Sequence, residues 1–157
     1  MTDSVWIRRH GWWLPPAPFR EDHGWHLWPA GQTPSRSPVR LLAPGFEYYV
    51  CDGGRSGERR MRFLTEVEAV SQTFAVTSLD EGFRRLEDFF GGQGRAMSWS
   101  AWYEDSYATE KFRTPRVFSL LAWTFSVRRS LSVPLPRAQR FAPSGWLHVP
   151  RSEVLPS

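Results

Sequence analysis

"LLAPGFEYYVCDGGRSGERRMRFLTEVEAV", Leu41 to Val70, is the stretch whose reading decides the fold. Phe46 to Asp52 is crowded with aromatic and β-branched side chains, "DGGRSGE" carries turn chemistry, and Arg60 to Val70 alternates. That alternation predicts Met61, Phe63, Thr65, Val67 and Ala69 on one face, with Arg60, Arg62, Leu64, Glu66 and Glu68 on the other. The stretch therefore reads as an antiparallel hairpin with one buried and one mostly wetted face.

The flanking segments extend this hairpin into one small domain. "SVWIRRHGWWL" predicts a strand over Val5 to Trp13, stopped by Pro15 and Pro16, which have no N–H to continue a ladder. From Pro15 to Arg40 no period is sustained, so this span reads as a long loop, and a loop of such length is usually functional when ordered. "TSLDEGFRRLEDFFGG" predicts a helix. Ser78 is its N-cap, Glu81 completes a capping box, Leu79, Phe83, Leu86 and Phe90 form its apolar stripe, and Gly91 and Gly92 supply a left-handed stop. "AMSWSAWYEDSYATEKF" reads as a second aromatic loop. "RVFSLLAWTFSV", Arg116 to Val127, reads as a central strand buried on both faces. Gly145 to Val149 predicts a final strand, so that residues 1–150 form one domain and 151–157 a frayed tail.

The 157 residues suffice for a core that buries about two thirds of the unfolded surface. With 41% hydrophobic and 23% charged residues, the composition is neither that of a disordered chain nor that of a membrane protein. No apolar run approaches the roughly 18–20 residues of a membrane span, and "MTDSVWIRRHGWW" lacks the pattern of a signal peptide, so the expectation is a cytoplasmic protein without a membrane partner. The single cysteine, Cys51, excludes an internal disulfide and a Cys-rich zinc site, and reads as a small buried hydrophobe. Net charge is +4, and of the 20 basic residues only Lys111 is lysine. Arginine offers a planar fork for phosphate and stacks on rings, which favours nucleic acid, although a GC-rich codon bias yields the same composition. Aromatic residues at 15% suit either base stacking or a small barrel filled by large rings.

The element order is strand, aromatic loop, hairpin, helix, aromatic loop, buried strand and terminal strand, which predicts an α+β fold: a small mixed β-barrel with helical insertions and long aromatic loops. In this order the chain resembles the PUA-like superfamily, and within it the EVE and YTH-type domains. "APGFEYYVCDGG" is similar to the segment leading those domains into their central hairpin, and "RMRFLTEVEAVSQTF" to the following strand. The family's N-terminal Tyr-Trp pair is replaced here by "VWIRRHGWW", and its Gly-Asp turn by Pro44-Gly45. The resemblance implies a non-catalytic module that binds a modified base of DNA or RNA, flipped into an aromatic cage.

The cage candidates are Trp25 and Trp28 in "EDHGWHLWPAG", facing Trp99, Trp102 and Tyr103 of the second aromatic loop. Rings on loops either stack on bases or fold back as lids over a barrel end. The phosphate candidates are Arg55, Arg59 and Arg60 at the hairpin tip, with Arg128 and Arg129, then Arg137 and Arg140, and with Arg62 sharing a face with Arg60. A zinc site from His23 and His26, with His10, His148, Asp22 or Cys51, would need a helical turn that "GW" and "LWPAG" disfavour, so neither metal nor cofactor is expected. Glu104, Asp105 and Glu110 form no recognisable hydrolytic set, and Gly53, Gly54 and Gly57 lack the Gly-Lys-Ser/Thr of a phosphate loop. The first reading is thus a nucleic-acid-binding module. The alternatives are a peptide or small-molecule sensor of the same fold and, third, an enzyme.

Overall fold

A computed structural model describes residues 3–9, 22–32, 36–52, 59–91, 116–136, 139–141 and 145–155. Its strands are β1 (Ser4–Arg9), β2 (His23–Pro29), β3 (Glu47–Cys51), β4 (Arg60–Val70), β5 (Phe74–Val76), β6 (Phe118–Pro134) and β7 (Trp146–Pro150), and its helix is α1 (Leu79–Phe90). The strands form one mixed sheet in the order β2-β6-β4-β3-β1-β7, with β5 also on β6, curled into a half-barrel. β1 and β3 run parallel, whereas the other pairs are antiparallel. The α+β class and the central hairpin of β3 and β4 agree with the sequence reading.

The 17-residue β6 is the spine. Its first half pairs with β2 along one edge and with β5 along the other, and its second half continues against β4. Alternation then sorts its apolar run onto two faces. Phe118, Leu120 and Ala122 join Trp25, Leu27 and Val76 beneath α1, which contributes Leu86 and Phe90. Leu121, Trp123 and Phe125 point into the concave face, with Tyr48, Val50, Val67 and Trp146. At the far end of the convex face a third cluster gathers Val5, Ile7, Cys51, Met61, Leu147 and Val149.

The helix forms as its sequence predicts. The Glu81 N–H donates to Ser78 Oγ at 3.1 Å, and the Thr77 N–H donates to Glu81 Oε1 at 3.0 Å, one residue before the usual capping-box donor. Gly91 ends the helix at φ +69°, the left-handed conformation that only glycine adopts without steric cost.

Three expectations need correction, and a fourth lies partly outside the described residues. His23–Pro29 is a strand within the span expected to be a loop, because "HGWHLWP" alternates Trp25 and Leu27 against Gly24, His26 and Trp28 behind its Gly, His and Pro. β1 is described to Arg9, and residues 10–13 of the strand expected to Trp13 lie outside the described residues. In β4 the register shifts between Met61 and Phe63, between Leu64 and Thr65, and between Val67 and Ala69. Each such bulge resets the alternation, so Met61 and Leu64 enter the third cluster, Phe63 and Val67 the concave one, and Ala69 is exposed. The expected neighbours Phe118, Leu120 and Ala122 face the helix instead. Finally, Arg151–Glu153 forms a 3-10 turn and Val154 is buried in the third cluster, where a frayed tail was expected.

Gly24 sits opposite Trp123 in the register of β2 and β6, and a Cβ on it would lie 2.6 Å from two ring carbons of that buried indole. Gly24→Ala is expected to destabilise the fold by about 1–3 kcal/mol, the range for overpacking a filled core. Urea denaturation measures this, and an unchanged midpoint would show that the indole moves aside freely.

Candidate functional site

At one end of the concave cluster the sheet opens into a groove of about 550 Å³, within the usual range for small-ligand sites. β2 contributes Trp28, half-buried and stacked on His26 at a centroid distance of 5.7 Å. β6 contributes Ser119 and Leu121, the end of β4 contributes Val70, and the turn before β3 contributes Val39 and Leu42. Gly31, Gln32, Arg40 and Thr73 are exposed on its rim. The lining therefore combines one indole, an aliphatic floor, a cation and side chains that donate and accept hydrogen bonds.

Local hydrogen bonding fixes these walls. The Leu41 N–H donates to Pro38 O at 2.7 Å, and the Val39 N–H donates to Ser37 Oγ at 3.3 Å, folding residues 37–42 into turns that bury Val39 and Leu42. The Ser71 N–H donates to Ala122 O at 2.8 Å, and Ser71 Oγ accepts from the Ala122 N–H at 2.9 Å while donating to Gln72 O at 2.7 Å. The hydroxyl thus replaces the ladder where β4 leaves β6 and holds that edge of the groove in place.

The two tryptophans paired by the sequence reading separate in space. Trp28 lines the groove, whereas Trp25, 9% exposed, points through the opposite face of β2 into the cluster under α1. Trp99, Trp102 and Tyr103 lie outside the described residues.

The arginines are likewise sorted by strand alternation. Arg59 lies with its Cζ 5.8 Å from the centroid of Phe141, while Arg60 turns to the other face and donates from Nη1 to Ser132 Oγ at 3.1 Å and Ser132 O at 3.2 Å. The two thus turn to opposite faces of the strand. Arg62 does share the face of Arg60, donating to Asp52 Oδ1 and Oδ2 at 3.0 and 3.1 Å, a bidentate pair that raises its pKa. Arg128 donates to Glu66 Oε2 at 2.6 Å, and that bond raises its pKa. Arg129 and Arg140 are exposed, and Arg55 and Arg137 lie outside the described residues.

His23 and His26 point to opposite faces of β2, because a His-x-x-His spacing on a strand places an odd number of steps between them. His23 Nδ1 lies 2.7 Å from Asp22 Oδ1 and its ring meets Phe90 edge-on, whereas His148 stacks on Trp6 at 4.2 Å. Among the described residues no group of three His, Cys, Asp or Glu side chains converges as a metal site. No described helix is long and apolar enough to cross a membrane.

Comparison with family models, with curated proteins and with solved structures finds no match to this chain.

Two expectations follow for the residues placed here. Trp25→Ala should cost about 3–5 kcal/mol of stability as a large-to-small core change. Trp28→Ala should cost clearly less, since half of one wall faces open groove, and equal losses in urea denaturation would make Trp28 a core residue as well. Burial pushes the Cys51 thiol up to about 12 from its ordinary 9.0, with Arg59 opposing the rise. The unfolded thiol ionises first, so the stability carried by the neutral form is complete below pH 9 and is lost as pH rises toward 12, by about 1.4 kcal/mol per pH unit. Urea midpoints between pH 8 and about 10.5 should fall more steeply for the wild type than for Cys51→Ala, and parallel slopes would refute the shift.

Proposed function

We propose that this chain is a non-catalytic nucleic-acid-binding module whose groove beside Trp28 receives a flat base, unpaired or flipped from a duplex, modified bases included. The observation that carries this reading is the groove itself: about 550 Å³, with an indole wall, an aliphatic floor and Arg40 at the rim. A base buries its ring faces against apolar and aromatic side chains while its polar edge needs partners. Gln32, Thr73 and Ser119 are the lining side chains that carry such partners. The likeness to PUA-like, EVE and YTH-type domains belongs to this proposal, as does a second cage wall built by Trp99, Trp102 and Tyr103. Arg40 and the exposed Arg129 are the phosphate-contacting candidates on this reading.

A second reading, a small-molecule sensor, is favoured by the ion pairs of Arg62 with Asp52 and of Arg128 with Glu66, which engage two of the arginines expected to meet a nucleic-acid backbone. The salt dependence of binding separates the two, because each phosphate contact releases counterions and steepens the slope. Stacking contributes about 1–3 kcal/mol per base, so Trp28→Ala should weaken binding of a short single-stranded oligonucleotide by about 5- to 150-fold. Arg40→Gln should flatten the salt slope by about one contact. Fluorescence anisotropy at several salt concentrations measures both. Oligonucleotide affinity unaffected by Trp28→Ala would remove the groove from the function, and a flat salt slope in the wild type would favour the sensor.

A further inference from the structure

The turn that supplies one wall of the groove also holds an apolar side chain out in solvent. Along residues 38–42, Pro38, Val39 and Leu42 are buried, whereas Arg40 and Leu41 between them are exposed. Leu41 is 60% exposed, more than any other large hydrophobic residue described. Arg40 and Leu42 both line the groove, and consecutive Cα atoms lie about 3.8 Å apart, so Leu41 stands at the groove's mouth.

This tip is anchored on both sides. The bond from the Leu41 N–H to Pro38 O closes the turn at 2.7 Å. Beyond it, the Gly45 N–H donates to Val67 O and the Val67 N–H donates to Phe46 O, each at 2.8 Å, which ties the segment to β4. A turn so fixed presents its leucine with little conformational freedom left to lose on binding. Single exposed leucines are common on protein surfaces, so the position of this one decides its meaning. A base that reaches the groove from a duplex must leave its stack, and the neighbouring bases lose their contacts with it. The vacancy has apolar ring faces on both sides, and proteins that distort duplexes insert Leu, Ile, Met or Phe at such steps. A single strand, whose bases splay outward without breaking a paired stack, leaves no such vacancy.

We propose that the partner of the groove is a duplex with one base extruded, and that Leu41 enters the stack at the vacated position while its neighbour Arg40 meets the adjoining phosphate. The proposal rests on the groove as a base site and narrows its partner from any strand to a duplex. Leu41 then offsets part of the cost of extrusion, because the area it exposes in the free protein is buried between bases in the complex. Arg40 and Leu41 divide the work: the cation positions the backbone and the apolar side chain holds the stack open.

The test is fluorescence anisotropy of the full chain with three oligonucleotides of one sequence, in DNA and in RNA form: a single strand, a fully paired duplex and a duplex with one central mismatch. The wild type is expected to bind the mismatched duplex more tightly than the paired one, since a mismatched base costs less to extrude. Leu41→Ser should weaken binding of both duplexes about tenfold or more and leave the single strand unchanged. Leu41→Met keeps an apolar side chain of similar size and should retain duplex affinity. The Tm of both Leu41 variants should match the wild type, because the side chain lies mostly in solvent. Trp28→Ala should weaken single strand and duplex alike. Single-strand binding that depends on Trp28, with no duplex binding, overturns the proposal and leaves the groove reading standing. Binding that Trp28→Ala leaves untouched overturns both. The proposal also falls if paired and mismatched duplexes bind equally, or if Leu41→Ser changes no affinity or lowers duplex and single-strand affinity by the same factor.

Discussion

The indole of Trp123 lies against the bare backbone of Gly24 on one side, and its Nε1–H donates to Tyr48 Oη at 2.9 Å on another. Trp146, from the far edge of the sheet, stands 6.2 Å from the same ring. One side chain on β6 therefore touches β2, β3 and β7, strands that the ladder order places on both sides of the spine. A flat sheet cannot bring both edges to one residue, so these contacts and the bulges in β4 curl it together. The buried indole N–H thus has its acceptor, which makes the aromatic crowding at the middle of the concave face tolerable.

From that curl follows the position of the groove. The concave face is filled by Trp123, Tyr48, Phe125 and Trp146 at its middle, but toward the start of β6 the lining changes to Leu121, Val39, Leu42 and the half-buried Trp28. The space left there opens to solvent. On the opposite face α1 covers the same strands with Leu86 and Phe90, so the groove rests on a scaffold packed from behind. Binding sites on supported sheet faces gain from this, because little ordering of the walls is needed when a ligand enters.

The arginines divide along the same geometry. On β4 and β6, Arg62 pairs with Asp52, Arg128 with Glu66 and Arg60 with Ser132. Surface pairs of this kind contribute little to stability, but they shape the charge offered to a partner. Arg8 lies over Trp123 on the concave face at 5.3 Å, whereas Arg9, the next residue, meets Phe141 on the convex face. Consecutive arginines thus serve opposite sides of one sheet, and a run of basic residues in a strand is not a patch.

Local sequence determined what depends on local forces. The hairpin, the capped helix with its Ser78, Glu81 and Gly91, the buried central strand and the terminal strand were all legible, because turn chemistry, capping and periodicity act within a few residues. The β2 strand was not, since its alternation is broken by glycine, histidine and proline, and only pairing with β6 makes it a strand. Which way Trp25 and Trp28 face was equally hidden. Both are large rings in one short segment, and their odd spacing of three residues along a strand sends one under the helix and the other into the groove. The bulges of β4, the requirement for glycine opposite Trp123, and the meeting of Arg9 with Arg59 over Phe141 join residues far apart in the chain. No local signal encodes such contacts, because they exist only once the register between strands is set, and that is decided by the packing of the whole sheet.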